Sequence, residues 1–116
     1  MRYLLMLYTK ESDWAAMAEA DRGSLYKEYM EFTESIRTSG QYIGGNPLQP
    51  TTTATTVRVR DGKSGITDGP FAETREQLGG YYLIEAADLD EAVSIASRIP
   101  AARLGAVEVR PIMAIP

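Results

Sequence analysis

The sequence contains no cysteine and no histidine. The first absence removes disulfides, thiol nucleophiles and cysteine-ligated zinc, and the second removes imidazole acid-base chemistry and serine–histidine triads. Any catalysis must fall to Asp, Glu, Tyr, Lys, Arg, Ser or Thr, or to a bound cofactor, and the residues name no cofactor. No run approaches the ~18 apolar residues of a membrane span. A net charge of −4 without a clustered basic patch argues against nucleic acid, whose binding depends on Lys and Arg density. Neither membrane nor nucleic acid is an expected partner. Met1 to Tyr8 is apolar but short, carries one positive charge, and leads into Lys10-Glu11-Ser12-Asp13 instead of a small-residue cleavage site. It reads as a strand, and the protein is expected in the cytoplasm.

What is present suits one domain of 116 residues, small enough that oligomerisation would help its stability. Arg2 to Tyr8 is apolar on both alternating faces, the mark of a strand covered on both sides. Thr9 to Ala20 is a polar connection with a short helix at Asp13–Met17, for which Ser12 is the cap candidate. Trp14 there is either a staple onto the core or a pocket wall. From Asp21 to Ser39, Leu25, Tyr29, Phe32 and Ile36 form one helical stripe, with Arg37 in the last turn and Gly40 placed for a left-handed stop. Gln41 to Thr56 reads as a loop. Its Gly44-Gly45 pair lacks the Lys-Ser/Thr ending of a phosphate-binding loop.

Thr55–Arg60 alternates as a strand and turns at Asp61–Ser64 into Ser64–Thr67, a hairpin. Asp68-Gly69-Pro70 forces a turn, because proline fixes φ and biases the preceding residue away from helix. A turn or two of helix is expected over Glu73–Leu78, closed by Gly79-Gly80, and Tyr81 to Ala86 reads as a buried strand. Asp88 and Glu91 form a cap for a second helix carrying Leu89, Ala92, Val93, Ala96 and Ile99 and ended by Pro100. Ala106 to Met113 is the last strand, with Val107 and Val109 opposite Glu108 and Arg110 and with Pro111 at its end or edge.

With the hairpin return set aside, the order is strand, helix, strand, strand, helix, strand, which is the ferredoxin-like βαββαβ class of α+β fold. Both helices then cover one sheet face and leave an apolar face bare. A second copy is the simplest cover, so a two-fold homodimer is expected.

Candidate functional residues gather around the Asp-Gly-Pro turn. Asp68 is either a carboxylate accepting the turn's own N–H groups or the candidate catalytic residue, a general base whose pKa burial or a like-charged neighbour such as Glu73 must raise. Arg75 and Arg110 are candidate anion clamps, their alternatives being ion pairs with Glu73, Glu76 or Glu108. Tyr81 and Tyr82 must point to opposite faces, one into the core and one toward the sheet face or pocket.

The run Asp68-Gly69-Pro70-Phe71-Ala72-Glu73-Thr74-Arg75-Glu76-Gln77-Leu78-Gly79-Gly80-Tyr81-Tyr82 resembles the signature of the DGPF branch of YCII-related proteins. The Met1–Tyr8 opening, the Asp61-Gly62-Lys63 turn, Asp88–Ala92 and the Gly105–Pro111 ending extend the likeness over nearly the whole chain. The resemblance implies a dimeric α+β barrel of ferredoxin-like subunits, with Asp68 as the acid of a pocket shaped by Gly69, Pro70 and Phe71. The His-Asp dyad proposed for YCII relatives cannot form in a chain without histidine. Arg75 stands where many relatives have lysine, and it keeps its proton, which removes a Schiff base or proton shuttle. Both departures favour binding over catalysis.

Two functions of different class follow. The first is a small-molecule-binding protein of unassigned reaction, with a pocket between helix and sheet near the dimer interface. It would take a small anionic or polar aromatic ligand through Asp68, Phe71, Glu73, Arg75, Tyr81 and Arg110. The second, implied by relatives that occur beside extracytoplasmic-function sigma factors, is a non-catalytic accessory module acting on a sigma-factor-linked partner.

Overall fold

The computed structural model describes residues 1–116. The elements run β1 (Arg2–Thr9), α1 (Glu11–Ala16), α2 (Glu19–Thr38), β2 (Tyr42–Pro47), a short 3-10 helix at Thr51–Thr53, then β3 (Thr55–Arg60) and β4 (Lys63–Asp68). β5 (Gln77–Glu85), α3 (Leu89–Ser97), α4 (Ala101–Leu104) and β6 (Ala106–Pro111) complete the chain. Four strands form one antiparallel sheet in the order β2-β5-β1-β6, while β3 and β4 pair only with each other. This is the ferredoxin-like arrangement with a hairpin inserted between its second and third strands.

The second strand of that fold is not the one the alternation suggested. Residues 42–47 take the edge position, although Gln41–Thr56 reads as a loop, and Thr55–Arg60 stands outside the sheet. Gly-Gly-Asn-Pro has poor strand propensity, but Gly45 is what lets β2 approach. A Cβ on Gly45 would lie 2.8 Å from the Tyr81 carbonyl oxygen and 2.9 Å from the Tyr82 ring. Gly45 is therefore a packing feature, while a side chain on Gly44 would meet open space.

The expected helix over Glu73–Leu78 does not form. Thr74 Oγ1 donates to the Glu76 carbonyl at 2.6 Å and Gln77 Nε2 donates to the Thr74 carbonyl at 2.6 Å, a closed local turn that competes with helix. β5 then begins at Gln77, so Gly79-Gly80 lie inside the strand and do not close anything. At the start of α1 the cap position is Lys10, with no side-chain bond, and Ser12 lies within the helix. Trp14 meets the exposed Tyr26 edge-on at 5.3 Å, so it ties α1 to α2 at the surface and does not reach the core.

α2 buries Leu25, Phe32 and Ile36 with Tyr29 partly covered, and Gly40 adopts φ +78° just past its end. The Asp88 carboxylate accepts the Glu91 N–H at 2.9 Å and starts α3. That helix turns Ala92, Ile95 and Ala96 inward and leaves Leu89 and Val93 exposed, a rotation from the stripe the spacing suggested. The core lies between these helices and Tyr3, Leu5, Leu7, Tyr82 and Ile84 of the two central strands. Each large apolar side chain buried there is worth about 1.5–3 kcal/mol. Phe32 and Tyr82 pack edge-to-face at 5.2 Å, and the Tyr82 hydroxyl shares a 2.8 Å hydrogen bond with Thr33.

Nothing covers the opposite face, and the molecule is only 19 Å through its thinnest axis against 48 and 47 Å along the others. Its radius of gyration, 16.2 Å, exceeds the about 13 Å of a compact chain this long. The slab and the projecting hairpin account for the excess. No helix is long and apolar enough to cross a membrane.

Candidate functional site

Strand alternation decides what each face presents. Tyr3, Leu5 and Leu7 point to the helices, so Leu4, Met6 and Tyr8 point away, and register brings Leu4 opposite Leu83 and Met6 opposite Tyr81. All five of these outward side chains are half-buried. On β6, Arg110 lies opposite Leu4 and Glu108 opposite Met6, so both belong to this same face. Asn46 Nδ2 donates to the Tyr81 hydroxyl at 3.0 Å from the β2 side. The result is an apolar floor of Leu4, Met6, Tyr8 and Leu83 with a phenol, an amide, a guanidinium and a carboxylate along it.

Tyr82 is accordingly the core tyrosine and Tyr81 the one on the open face. A pocket between helix and sheet cannot contain Tyr81 or Arg110, because the helix side is filled by the core; the open face is where those groups stand. Arg110 Nη2 lies 2.5 Å from Glu108 Oε2, an ion pair within β6. Arg110 is thus held by Glu108, while Arg75 is exposed and has no ion pair.

The Asp-Gly-Pro-Phe turn sits at the root of the β3–β4 hairpin. Gly69 has φ +100° and donates its N–H to the Ala54 carbonyl at 2.7 Å, while Thr56 Oγ1 donates to the Gly69 carbonyl at 2.9 Å. Only glycine takes that φ without strain. Asp68 therefore does not accept the turn's N–H groups; its carboxylate makes no hydrogen bond or ion pair and is exposed. Phe71 is 78% exposed, with the Arg58 guanidinium 5.8 Å from its ring. Glu73 is exposed as well. Within one chain no hydrogen bond, ion pair or ring contact joins Asp68, Phe71, Glu73 or Arg75 to Tyr81 or Arg110.

Three residues that sequence reasoning passed over fix the hairpin's root. The Glu11 carboxylate accepts the Thr51 N–H at 2.7 Å and its hydroxyl at 2.8 Å, and the Glu11 N–H donates to Gln77 Oε1 at 3.0 Å. One residue of α1 thus ties the chain entering the hairpin to the chain leaving it. The only signal available was an acid in the first turn of a short helix, which its dipole alone explains. Two shallow grooves lie elsewhere, one with Glu28, Arg98 and Arg103 on the helix side and one with Val93, Val107 and Val109 along β6. No three acidic side chains are gathered closely enough to ligate a metal ion.

Comparison with known proteins gives a coherent result. The YCII-related domain matches residues 1–116. An uncharacterised protein of Rhizobium meliloti (strain 1021) is 36% identical over 114 residues, which is 97% of this chain and 92% of that protein. Among solved structures, 5-chloro-2-hydroxyhydroquinone dehydrochlorinase (TftG) from Burkholderia phenoliruptrix AC1100, in complex with 2,5-dihydroxybenzoquinone, aligns with a TM-score of 0.57. The alignment covers 97% of this chain and 94% of TftG at 16% identity, a likeness of fold.

Proposed function

The chain belongs to the YCII-related family, and from that premise we propose that it binds a small anionic or polar aromatic molecule on the open sheet face, sheltered by a second copy. The observation that carries this is the floor of Leu4, Met6, Tyr8 and Leu83 with Tyr81, Asn46 and Arg110 placed along it. An apolar floor with a few fixed polar groups is how small-molecule sites are usually built. The flat rings of an aromatic ligand suit such a floor, and the Arg110 guanidinium suits its anionic substituents. TftG, whose bound molecule is a quinone carrying hydroxyl groups, supports the class of ligand.

Asp68, Glu73 and Arg75, with Gly69, Pro70 and Phe71 shaping the turn that carries them, are the rim of this proposed site, and two-fold pairing is what would bring them over a sheet face. A general base working near neutral pH needs burial or a like-charged neighbour, and Asp68 has neither within one chain. Binding is therefore the role this chain's own residues support.

Thermal-shift screening against hydroxylated benzoates, quinones and small dicarboxylates tests the proposal. Stabilisation that is lost in Arg110→Ala and Asp68→Asn is the expected result. A purified protein that no such compound stabilises, but that captures a sigma-factor-linked protein, would replace it with the accessory-module function.

A further inference from the structure

The β3–β4 hairpin is the least supported element of the fold. An isolated two-stranded hairpin is marginal in water, yet this one projects with an apolar face of its own. Register puts Val57 opposite Ile66 and Val59 opposite Ser64, all on one side, and Val57, Val59 and Ile66 are 61%, 57% and 71% exposed. Thr55 pairs with Asp68, so Asp68 stands on that same side, two residues from Ile66. Whatever covers Val57 and Ile66 must also cover Asp68. The other side carries Arg58, Arg60 and Lys63.

We propose that this hairpin is an arm that lies on a second copy of the chain, so that each ligand site takes Asp68 from one subunit and Tyr81 and Arg110 from the other. The inference rests on the homodimer of the preceding section and specifies which residues it brings together.

Charge asymmetry and two-fold closure favour a second copy as the occupant. Four strands ~4.8 Å apart and about six residues long present roughly 400 Å² of projected sheet, against the ≈800 Å² per partner of a standard stable interface. The exposed Val57, Val59 and Ile66 of the arm add apolar surface to what the sheet face offers a partner. Three of the twelve cations but only two of the sixteen acids fall within residues 55–68, which leaves the arm with one net positive charge and the rest of the chain with five negative. The cations stand on the side away from Val57, Ile66 and Asp68, so they attract the acidic body of a second copy at long range and stay outside the apolar contact. Two-fold exchange covers both arms and leaves no open end from which a chain of copies would grow. The Glu11 clamp holds the root at a fixed position, so the arm is positioned for this contact.

The absence of native cysteine makes the test direct. Ile66→Cys and, separately, Asp68→Cys proteins are labelled with a benzophenone maleimide, mixed with unlabelled heavy-isotope chains at a concentration where light scattering gives a dimer, and irradiated. Cross-links between light and heavy chains that map to peptides of residues 2–9 or 77–85 are the expected result. Ile66→Lys should also weaken dimerisation at least tenfold while leaving the circular dichroism spectrum of the subunit unchanged, since the side chain is 71% exposed and lies outside the core cluster. Cross-links confined to single chains, or reaching only the helices of the partner, in a sample shown to be dimeric would overturn the arm and leave the dimer standing. A wild-type protein that is monomeric at micromolar concentration would overturn the dimer itself, and the arm with it.

Discussion

Single residues show best where the physical constraint is local. A Cβ on Gly105 would lie 2.1 Å from the Tyr8 carbonyl oxygen and 2.7 Å from Glu76 Oε2. A backbone carbonyl cannot swing aside, so Gly105→Ala must displace β1 or β6. Overpacking of this kind typically costs 1–3 kcal/mol, and Gly105→Ala should lower the thermal midpoint by several degrees, about 4–8 °C per kcal/mol at this size. Burial, with the nearby Tyr82 adding, pushes the Tyr29 hydroxyl up to about 12, and burial raises Tyr82 in the same direction. Tyrosines of the unfolded chain ionise near ~10. The unfolded state therefore gives up protons first, so stability is intact below that value and falls as pH rises toward about 12. An alkaline titration followed by circular dichroism should show this loss, and Tyr29→Phe should flatten it. Neither effect was legible beforehand: the sequence shows a glycine before a strand and a tyrosine in a stripe, while the clash and the burial come from elements far away along the chain.

At the scale of elements, legibility followed how much of the instruction is local. The α3 start was readable because Asp88 and Glu91 do the capping themselves, and Asp88→Ala should cost about 1 kcal/mol by chemical denaturation. The α2 stripe, β1 and the β3–β4 hairpin were readable from period alone. β2 was not, because its residues are chosen for what they permit, a close approach to β5, rather than for strand propensity. The false helix over Glu73–Leu78 came from composition, and Thr74 and Gln77 capture the backbone first. The candidate site divides in the same way. Tyr81 and Tyr82 were known to face apart from strand period, but which one is inside depended on α2 supplying Phe32 and Thr33. The bland account of Arg110, pairing with Glu108, holds; that of Asp68, accepting from its own turn, does not, since Ala54 and Thr56 close the turn in its place.

At the scale of the molecule, the open face sets the last prediction. Leu83 sits on the central strand β5, opposite Leu4 and Gly44, with Tyr81 and Glu85 to either side on the same face. It is absent from the helix-side core cluster, so Leu83→Glu leaves that cluster intact and changes the open face, both the ligand floor and what a partner would meet. A carboxylate at the centre of a sheet-to-sheet contact must be desolvated, which costs several kcal/mol for each copy where no cation meets it. The two-fold axis doubles that penalty, enough to turn a micromolar dimer into a monomer at any practical concentration. The expected outcome is a half-mass species by light scattering that keeps the helical content of the wild type, melts at a lower temperature because association no longer contributes, and loses every small-molecule response with Asp68 and Arg110 both intact. A monomer that retained full ligand stabilisation would show that one chain's own sheet face suffices. A dimer that survived the substitution would show that the contact lies on another surface.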